Sequence, residues 1–207
     1  MPAATSNRRV VIFDLGGVLI RWDPRNLYRK LFPGDEHAME AFLGNVCTVE
    51  WNERQDAGRT FADAVAELVP RHADKIELIE AFGRRFDEMI TGAIEGTVEI
   101  LADLKRAGVP RYALTNWSAE TFPPQRDRFE FLSWFDGIVV SGEEGVIKPD
   151  PRIFAILLDR YRIAPGEAVF IDDNPANAAA AHALGIHGIH FRSPELLRRE
   201  LEKLGLL

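Results

Sequence analysis

The sequence predicts an α/β fold: a three-layer core around a parallel sheet, with a small helical segment inserted after the first strand. Two patterns carry that expectation. Short apolar runs rich in β-branched residues, at 10–13, 112–114, 138–140 and 169–171, alternate with helical pattern from the middle of the chain onward. Right-handed crossovers between parallel strands place such helices on both faces of the sheet. The stretch 21–91 interrupts this alternation with amphipathic helical pattern and no convincing strand. The core is therefore expected to be Rossmann-like and built from residues 1–20 and 92–207, with 21–91 as the helical insertion.

The first run, VVIF at 10–13, is continuously apolar rather than alternating, so it reads as a strand buried on both faces, and it stops at Asp14. Within the insertion, helical pattern is broken at Pro33-Gly34, Gly44, Gly58 and Pro70. Phe61, Val65, Leu68 and Val69, spaced i, i+4, i+7 and i+8, share one helix face. Thr97 is expected to cap a helix carrying Val98, Leu101 and Leu104, which Gly108 and Pro110 end. After the runs at 112–114 and 138–140, Asp150 and Pro151 supply an N-cap and a proline at the first helical position. Ile153, Phe154, Leu157, Leu158 and Tyr161 fill that helix's buried face. The run at 169–171 ends on Asp172 and Asp173, followed by Asn174-Pro175, an alanine-rich helix and Gly185. Residues 186–191 read as the last strand, and Ser193-Pro194 opens a terminal helix.

Composition narrows the function. At 207 residues, 46% hydrophobic and 28% charged, the chain is globular and long enough for one good core. Its net charge of -7, with 25 basic residues spread along the chain, lacks the electrostatic footprint of a nucleic-acid binder. A single cysteine, Cys47, excludes an internal disulfide and a cysteine zinc cluster and fits a reducing compartment. No run approaches ~20 apolar residues, and MPAATSNRR has no apolar core, so neither a membrane span nor a secretory leader is expected. The expected setting is the cytoplasm, as a monomer or homodimer.

Ligands of open parallel α/β sheets bind beyond the carboxyl ends of the strands, which makes strand ends the candidate list. Asp14 ends the first strand and Thr115-Asn116 the second; Ser141 ends the third, with Lys148 close behind, and Asp172-Asp173 end the fourth. Any one of these acids alone reads equally as a turn residue or helix cap, and Lys148 alone as a surface lysine. Their combination is different. Clustered Asp14, Asp172 and Asp173 would repel one another unless a cation sat among them, and hard carboxylate oxygens suit Mg²⁺.

Four stretches in this order, VVIFDLGGVL, YALTNWS, GVIKPDPRIF and VFIDDNPAN, resemble the four sequence motifs of the haloacid dehalogenase superfamily of hydrolases. The resemblance covers about residues 8–20 and 93–192, and the insertion is similar to that superfamily's C1-type cap. It implies a carboxylate nucleophile, Asp14, that attacks phosphorus to give an aspartyl-phosphate which water hydrolyses, splitting one difficult displacement into two easier steps. It implies Mg²⁺ held by Asp14, the backbone carbonyl of Gly16 and Asp172, with Asp173 orienting the metal's surroundings. Which of the paired acids is the direct ligand stays open. Thr115 and the amide of Asn116 are implied to hold phosphoryl oxygens, and Lys148 to neutralise charge on nucleophile and phosphate. The implied substrate is a small phosphorylated metabolite, sugar phosphates included.

One position departs from the pattern. Most phosphatases of this superfamily carry a second aspartate two residues after the nucleophile, which protonates the leaving oxygen and later activates water; here that residue is Gly16. General acid–base catalysis contributes ~10²–10⁴-fold, so its loss would cost roughly 3–5 kcal/mol of barrier. Either the leaving group needs no proton, or Asp23, Glu53 or a bound water substitutes, or the chain is a catalytically weak phosphate-binding or regulatory domain. The dehalogenase branch also lacks the second aspartate and displaces halide from carbon without metal. The Asp172-Asp173 pair, and glycine where that branch has an aromatic residue, favour the Mg²⁺-dependent phosphatase over the 2-haloacid dehalogenase.

Caps of this kind close over the nucleophile and exclude water, which places substrate choice in the insertion, at Arg21-Trp22-Asp23 and Trp51-Asn52-Glu53-Arg54. Arg54 and Arg59 could grip an anion, and Trp22, Trp51 or Trp117 could line a wall. Tryptophans of helical segments usually fill core, however, and arginines there usually face solvent. Trp117 is the best placed, directly after the phosphate motif. His37, His72, His182, His187 and His190 show no ligand spacing and receive no role.

Overall fold

A computed structural model describes residues 9–207. In chain order the strands and α-helices are β1 (Val10–Phe13), β2 (Ile20–Trp22), α1 (Arg25–Leu31), α2 (Glu36–Asn45), α3 (Val49–Asp56), α4 (Phe61–Leu68), α5 (Ile76–Arg84), β3 (Ile90–Ala93), α6 (Glu95–Arg106), β4 (Arg111–Thr115), α7 (Pro123–Arg128), β5 (Gly137–Val140), α8 (Ser141–Glu144), α9 (Pro151–Tyr161), β6 (Ala168–Asp172), α10 (Pro175–Ala183), β7 (His187–His190) and α11 (Pro194–Lys203).

Five strands form one sheet in the order β5-β4-β1-β6-β7, and each pairing is parallel. Winding runs from β1 through β4 to β5 on one side, then returns across β1 to β6 and β7. The reversal at β1 is a topological switch point, where ligand crevices of parallel sheets open.

Successive residues of each strand serve opposite faces. Val11, Phe13, Ala113, Val140, Val169 and Ile171 pack into one core, while Val10, Ile12, Leu114, Val139 and Phe170 pack into another with Ile153, Phe154 and Leu157 of α9. This double burial is why VVIF carries no polar residue. The first core continues into the helical segment through Leu19, Tyr28, Phe42 and Phe82, so helices α1–α5 share apolar packing with the sheet.

Two strands stand where the sequence shows no strand pattern. β2 and β3, the entry to and exit from the helical segment, pair antiparallel, with Ile20 opposite Ala93 and Arg21 opposite Gly92. They have three and four residues and form a separate two-stranded sheet, too short for a period of two to be visible. Thr97 is not a cap: α6 begins at Glu95, and Thr97 lies inside it on the buried side with Ile100, Leu101 and Leu104. Asp150, Asn174 and Ser193 do cap their helices, accepting from the amides of Arg152, Ala176 and Leu196. Among the described residues no helix is long and apolar enough to cross a membrane.

Candidate active site

Asp14 directly follows β1, Thr115 closes β4, Ser141 follows β5 and Asp172 closes β6, so the parallel sheet delivers all four to one rim. Lys148 reaches the same point from the loop between α8 and α9, and it is a buried residue, not a surface lysine. Its side chain is fully enclosed, with Nζ 3.0 Å from Asp14 Oδ1 and 2.7 Å from Asp172 Oδ2. Nζ also donates to the Leu114 carbonyl at 2.9 Å, so all three ammonium donors have acceptors.

Asn116 holds this lysine in register. The Lys148 amide donates to Asn116 Oδ1 at 2.8 Å, and Asn116 Nδ2 donates to the Lys148 carbonyl at 3.0 Å. With its side chain so engaged, Asn116 has its main chain left for a ligand. Asp172 is fixed from the other side: Oδ1 accepts from the Asn174 amide at 2.8 Å, and Asn177 Nδ2 donates to both carboxylate oxygens at 3.1 Å. Asp14 Oδ1 accepts from the Leu15 amide at 2.7 Å. Asp173 is exposed and lies over Gly17, where φ is +71° and an added Cβ would meet Asp173 Oδ2 at 2.1 Å. The glycine thus leaves room for the third carboxylate.

Oxygens of Asp14, Asp172 and Asp173 lie within 4.8 Å of one another, and one ammonium faces three carboxylates. Burial, reinforced by Asp172 and Asp173, pushes the Asp14 carboxyl up to about 7 against the pull of Lys148. Although Asp173 is exposed as a residue, partial desolvation of its carboxyl and the Asp172 charge raise it too. For Lys148 burial works against the charge, but Asp14 and Asp172 outweigh it and hold the ammonium above the ordinary lysine range. A hard divalent cation fits this oxygen set and its excess negative charge. Beside it the hydroxyl of Thr115 is buried with no hydrogen-bond partner, an arrangement that an anionic oxygen would satisfy.

Gly16, Trp22, Asn52, Asp56, Phe86, Asn116 and Trp117 line a cleft of about 340 Å³. Trp22 Nε1 and Asn52 Oδ1, both on its walls, are buried without partners. Trp117 Nε1 donates to Thr121 Oγ1 at 3.2 Å, and its ring lies 5.8 Å from that of Phe86.

Several candidates fall elsewhere. Trp51 is packed against Phe61 and Phe82 in the core, while Arg54 and Arg59 both pair with Glu67. Asp23 accepts from the Arg25 amide at 2.9 Å, and Glu53 is exposed. The Ser141 hydroxyl is already used, accepting from the Trp117 amide at 2.9 Å and donating to the Asp56 carbonyl at 2.5 Å. Asp56, Phe86 and Asn177 carry roles that sequence reasoning did not assign, and Asn52 was named only as part of a stretch. A signal for two of them exists: Asn52 and Asp56 lie four apart on one helix, and an acid closing a helix opposes the macrodipole.

The model of the haloacid dehalogenase-like hydrolase family matches residues 8–185. The chain is 28% identical to the sesquiterpene phosphatase astK of Aspergillus oryzae over 95% of its own length and 96% of that protein's. It is 32% identical to the mouse acyl-CoA dehydrogenase family member 10 over 95% of its length, but spans 19% of that larger protein. Among solved structures it is similar to a HAD family enzyme of Bacteroides thetaiotaomicron in complex with magnesium and inorganic phosphate, with a TM-score of 0.69, 23% identity and coverage of 90% of this chain and 95% of that one. The L-2-haloacid dehalogenase of Xanthobacter autotrophicus superposes with a TM-score of 0.62 at 17% identity, covering 95% and 83% of the two chains.

Proposed function

The chain belongs to the haloacid dehalogenase-like hydrolases, and we propose that it is a Mg²⁺-dependent phosphatase of small phosphorylated metabolites, acting through an aspartyl-phosphate on Asp14. The observation that carries the reading is a cluster of three carboxylates, two of them paired with one buried ammonium, at the switch point of the sheet. A dehalogenating carboxylate needs no such excess of negative charge beside it, because its substrate is not a phosphate to be bridged by a cation.

The roles follow from the contacts. Asp14, Asp172 and the Gly16 carbonyl would hold Mg²⁺, with Asp173 orienting its surroundings. When bound, the metal supplies charge that lets an anionic nucleophile approach an anionic phosphate. Lys148 pulls Asp14 toward its ionised form and aligns it through its 3.0 Å contact. The unbonded Thr115 hydroxyl and the Asn116 main chain take phosphoryl oxygens. One Asp14 oxygen attacks phosphorus, the bond to the leaving oxygen breaks, and water then hydrolyses the acyl phosphate.

We read residues 21–91 as a C1-type cap over this chemistry. Its Trp22, Asn52, Asp56 and Phe86 line the cleft together with Trp117, and such aromatic walls suit the apolar face of a sugar ring or a hydrocarbon group. Similarity along nearly the whole length to a sesquiterpene phosphatase supports a phosphorylated substrate. The lone reduced thiol, Cys47, buried and pushed up to about 12 by that burial, is consistent with the cytoplasm.

Phosphate release from a panel of sugar, polyol and terpenyl phosphates, run with Mg²⁺ and with EDTA, tests the reading. Release with at least one ester, lost in EDTA and restored by excess Mg²⁺, is expected. Silence across the panel combined with EDTA-insensitive halide release from 2-haloacids would overturn it in favour of the dehalogenase, and silence in both assays in favour of a phosphate-binding domain.

A further inference from the structure

The geometry points to Asp56 as the carboxyl group that stands in for the acid missing at Gly16, giving a proton to the leaving oxygen and taking one from the attacking water. This assignment rests on the phosphatase reading above.

Asp56 and Gly16 line the same cleft. A Cβ built on Gly16 meets nothing within 4 Å, so the space that a side chain at 16 would enter is open, and Asp56 lines the same cleft from the helical segment. The carboxylate is oriented rather than free: it accepts from Asn52 Nδ2 at 3.1 Å and from the Ser118 amide. The Asp56 carbonyl takes the Ser141 hydroxyl at 2.5 Å. The last residue of α3 is thereby tied to the two core segments that follow β4 and β5, the first of which carries the phosphate motif. A residue of the insertion is positioned by the core.

The environment also suits a proton donor. Burial, helped by Glu53, lifts the Asp56 carboxyl to about 7, while the Ser118 amide and Lys148 pull in the other direction. Its place at a helix C-terminus disfavours the anion further. A carboxyl that exchanges its proton near neutral pH is what general acid–base catalysis requires. Glu53 and Asp23 lack this setting: one is exposed and the other bonded to Arg25.

The two steps balance. As Asp14 Oδ bonds to phosphorus, the bond between phosphorus and the leaving oxygen breaks, and that oxygen takes the Asp56 proton to depart as a neutral alcohol. The Asp56 carboxylate then accepts a proton from water as its oxygen bonds to phosphorus. The bond from phosphorus to Asp14 breaks, inorganic phosphate leaves, and both residues return to their starting states.

Two esters of similar shape, benzyl phosphate and p-nitrophenyl phosphate, separate this role from a structural one, because nitrophenolate leaves without protonation and benzyl alkoxide does not. With Mg²⁺ present, Asp56→Asn is expected to lower kcat/KM for benzyl phosphate by about 10²–10⁴-fold, and to lower it for p-nitrophenyl phosphate by less than about tenfold, since kcat/KM reports the path to the first transition state. Retained nitrophenyl turnover shows that the variant folds. Adding Gly16→Asp to Asp56→Asn is expected to recover at least about tenfold on benzyl phosphate, because the new side chain enters open space with the missing acid. An unchanged benzyl phosphate kcat/KM, or an equal fall on both esters, overturns the assignment alone. No phosphate release by the wild-type protein from either ester or from any member of the panel above overturns the phosphatase reading and the assignment with it.

Discussion

Asp14→Asn is expected to lower phosphate release by about 10⁴-fold or more, the scale seen when a nucleophile is removed from a working site, while raising the unfolding temperature of the protein in EDTA. The amide keeps the shape but not the nucleophilic charge. Its effect on stability follows from the cost of the native acid. Folding moves the Asp14 carboxyl from 3.8 to about 7, so the folded state binds this proton more tightly than the unfolded one. Stability is therefore lost as pH rises through that window. An amide carries no such penalty, and the advantage of the variant should grow between about pH 4 and about pH 7. Thermal denaturation across that range, beside a phosphate assay, checks both halves. Turnover equal to the wild type would remove Asp14 from the nucleophile role, and a variant less stable at neutral pH would show that its charge is not a burden.

Lys148→Met is expected to damage stability and activity together. Removing the ammonium, which stands 3.0 Å from Asp14 and 2.7 Å from Asp172, leaves both carboxylates buried beside an apolar side chain in place of their counter-charge. Breaking a buried ion pair from one side costs about 3–5 kcal/mol, which for a chain of this size lowers the melting temperature by roughly 6–20 °C. Turnover should fall by about 10²–10³-fold, the scale of losing one preorganised electrostatic contact. Mg²⁺ is expected to restore part of the lost stability by supplying positive charge to the same carboxylates, and to restore little of the rate. Lys148→Arg should not rescue, because three acceptors converge on a single nitrogen and a planar guanidinium cannot present that geometry. Melting curves with and without Mg²⁺ for both variants decide this. An unchanged melting temperature for Lys148→Met would mean that the pair is not holding the site.

Burial explains which features were legible in the sequence. VVIF must be apolar throughout because both faces of β1 are covered, and that necessity makes the strand readable. The acids at the ends of β1 and β6 were legible for the same reason, since a charge terminating a buried run is conspicuous. Lys148 was legible only as part of a motif: nothing local distinguishes a lysine enclosed by two carboxylates from one in solvent. Ser141 was read as a rim hydroxyl, but the approach of α3 engages it with the Asp56 carbonyl, a contact across 85 positions that no local pattern encodes. Arg54 and Arg59 were drawn away from any ligand by Glu67, on the neighbouring helix α4. β2 and β3 escaped because each is defined by the other, nearly 70 residues away, and neither carries periodicity of its own. Asp56 was missed similarly. Its place in one cleft with Gly16 arises only once the helical segment has packed against the sheet.

The central claim is that phosphate passes through a covalent bond to Asp14. Acid quenching during turnover, followed by borohydride reduction and peptide mass analysis, reads that bond directly, since borohydride converts an aspartyl-phosphate to homoserine and leaves a free carboxylate untouched. The account predicts homoserine at position 14, dependent on Mg²⁺ and on substrate, and absent from Asp14→Asn. Unmodified Asp14 under conditions of steady phosphate release, or reduction at a different aspartate, would contradict it.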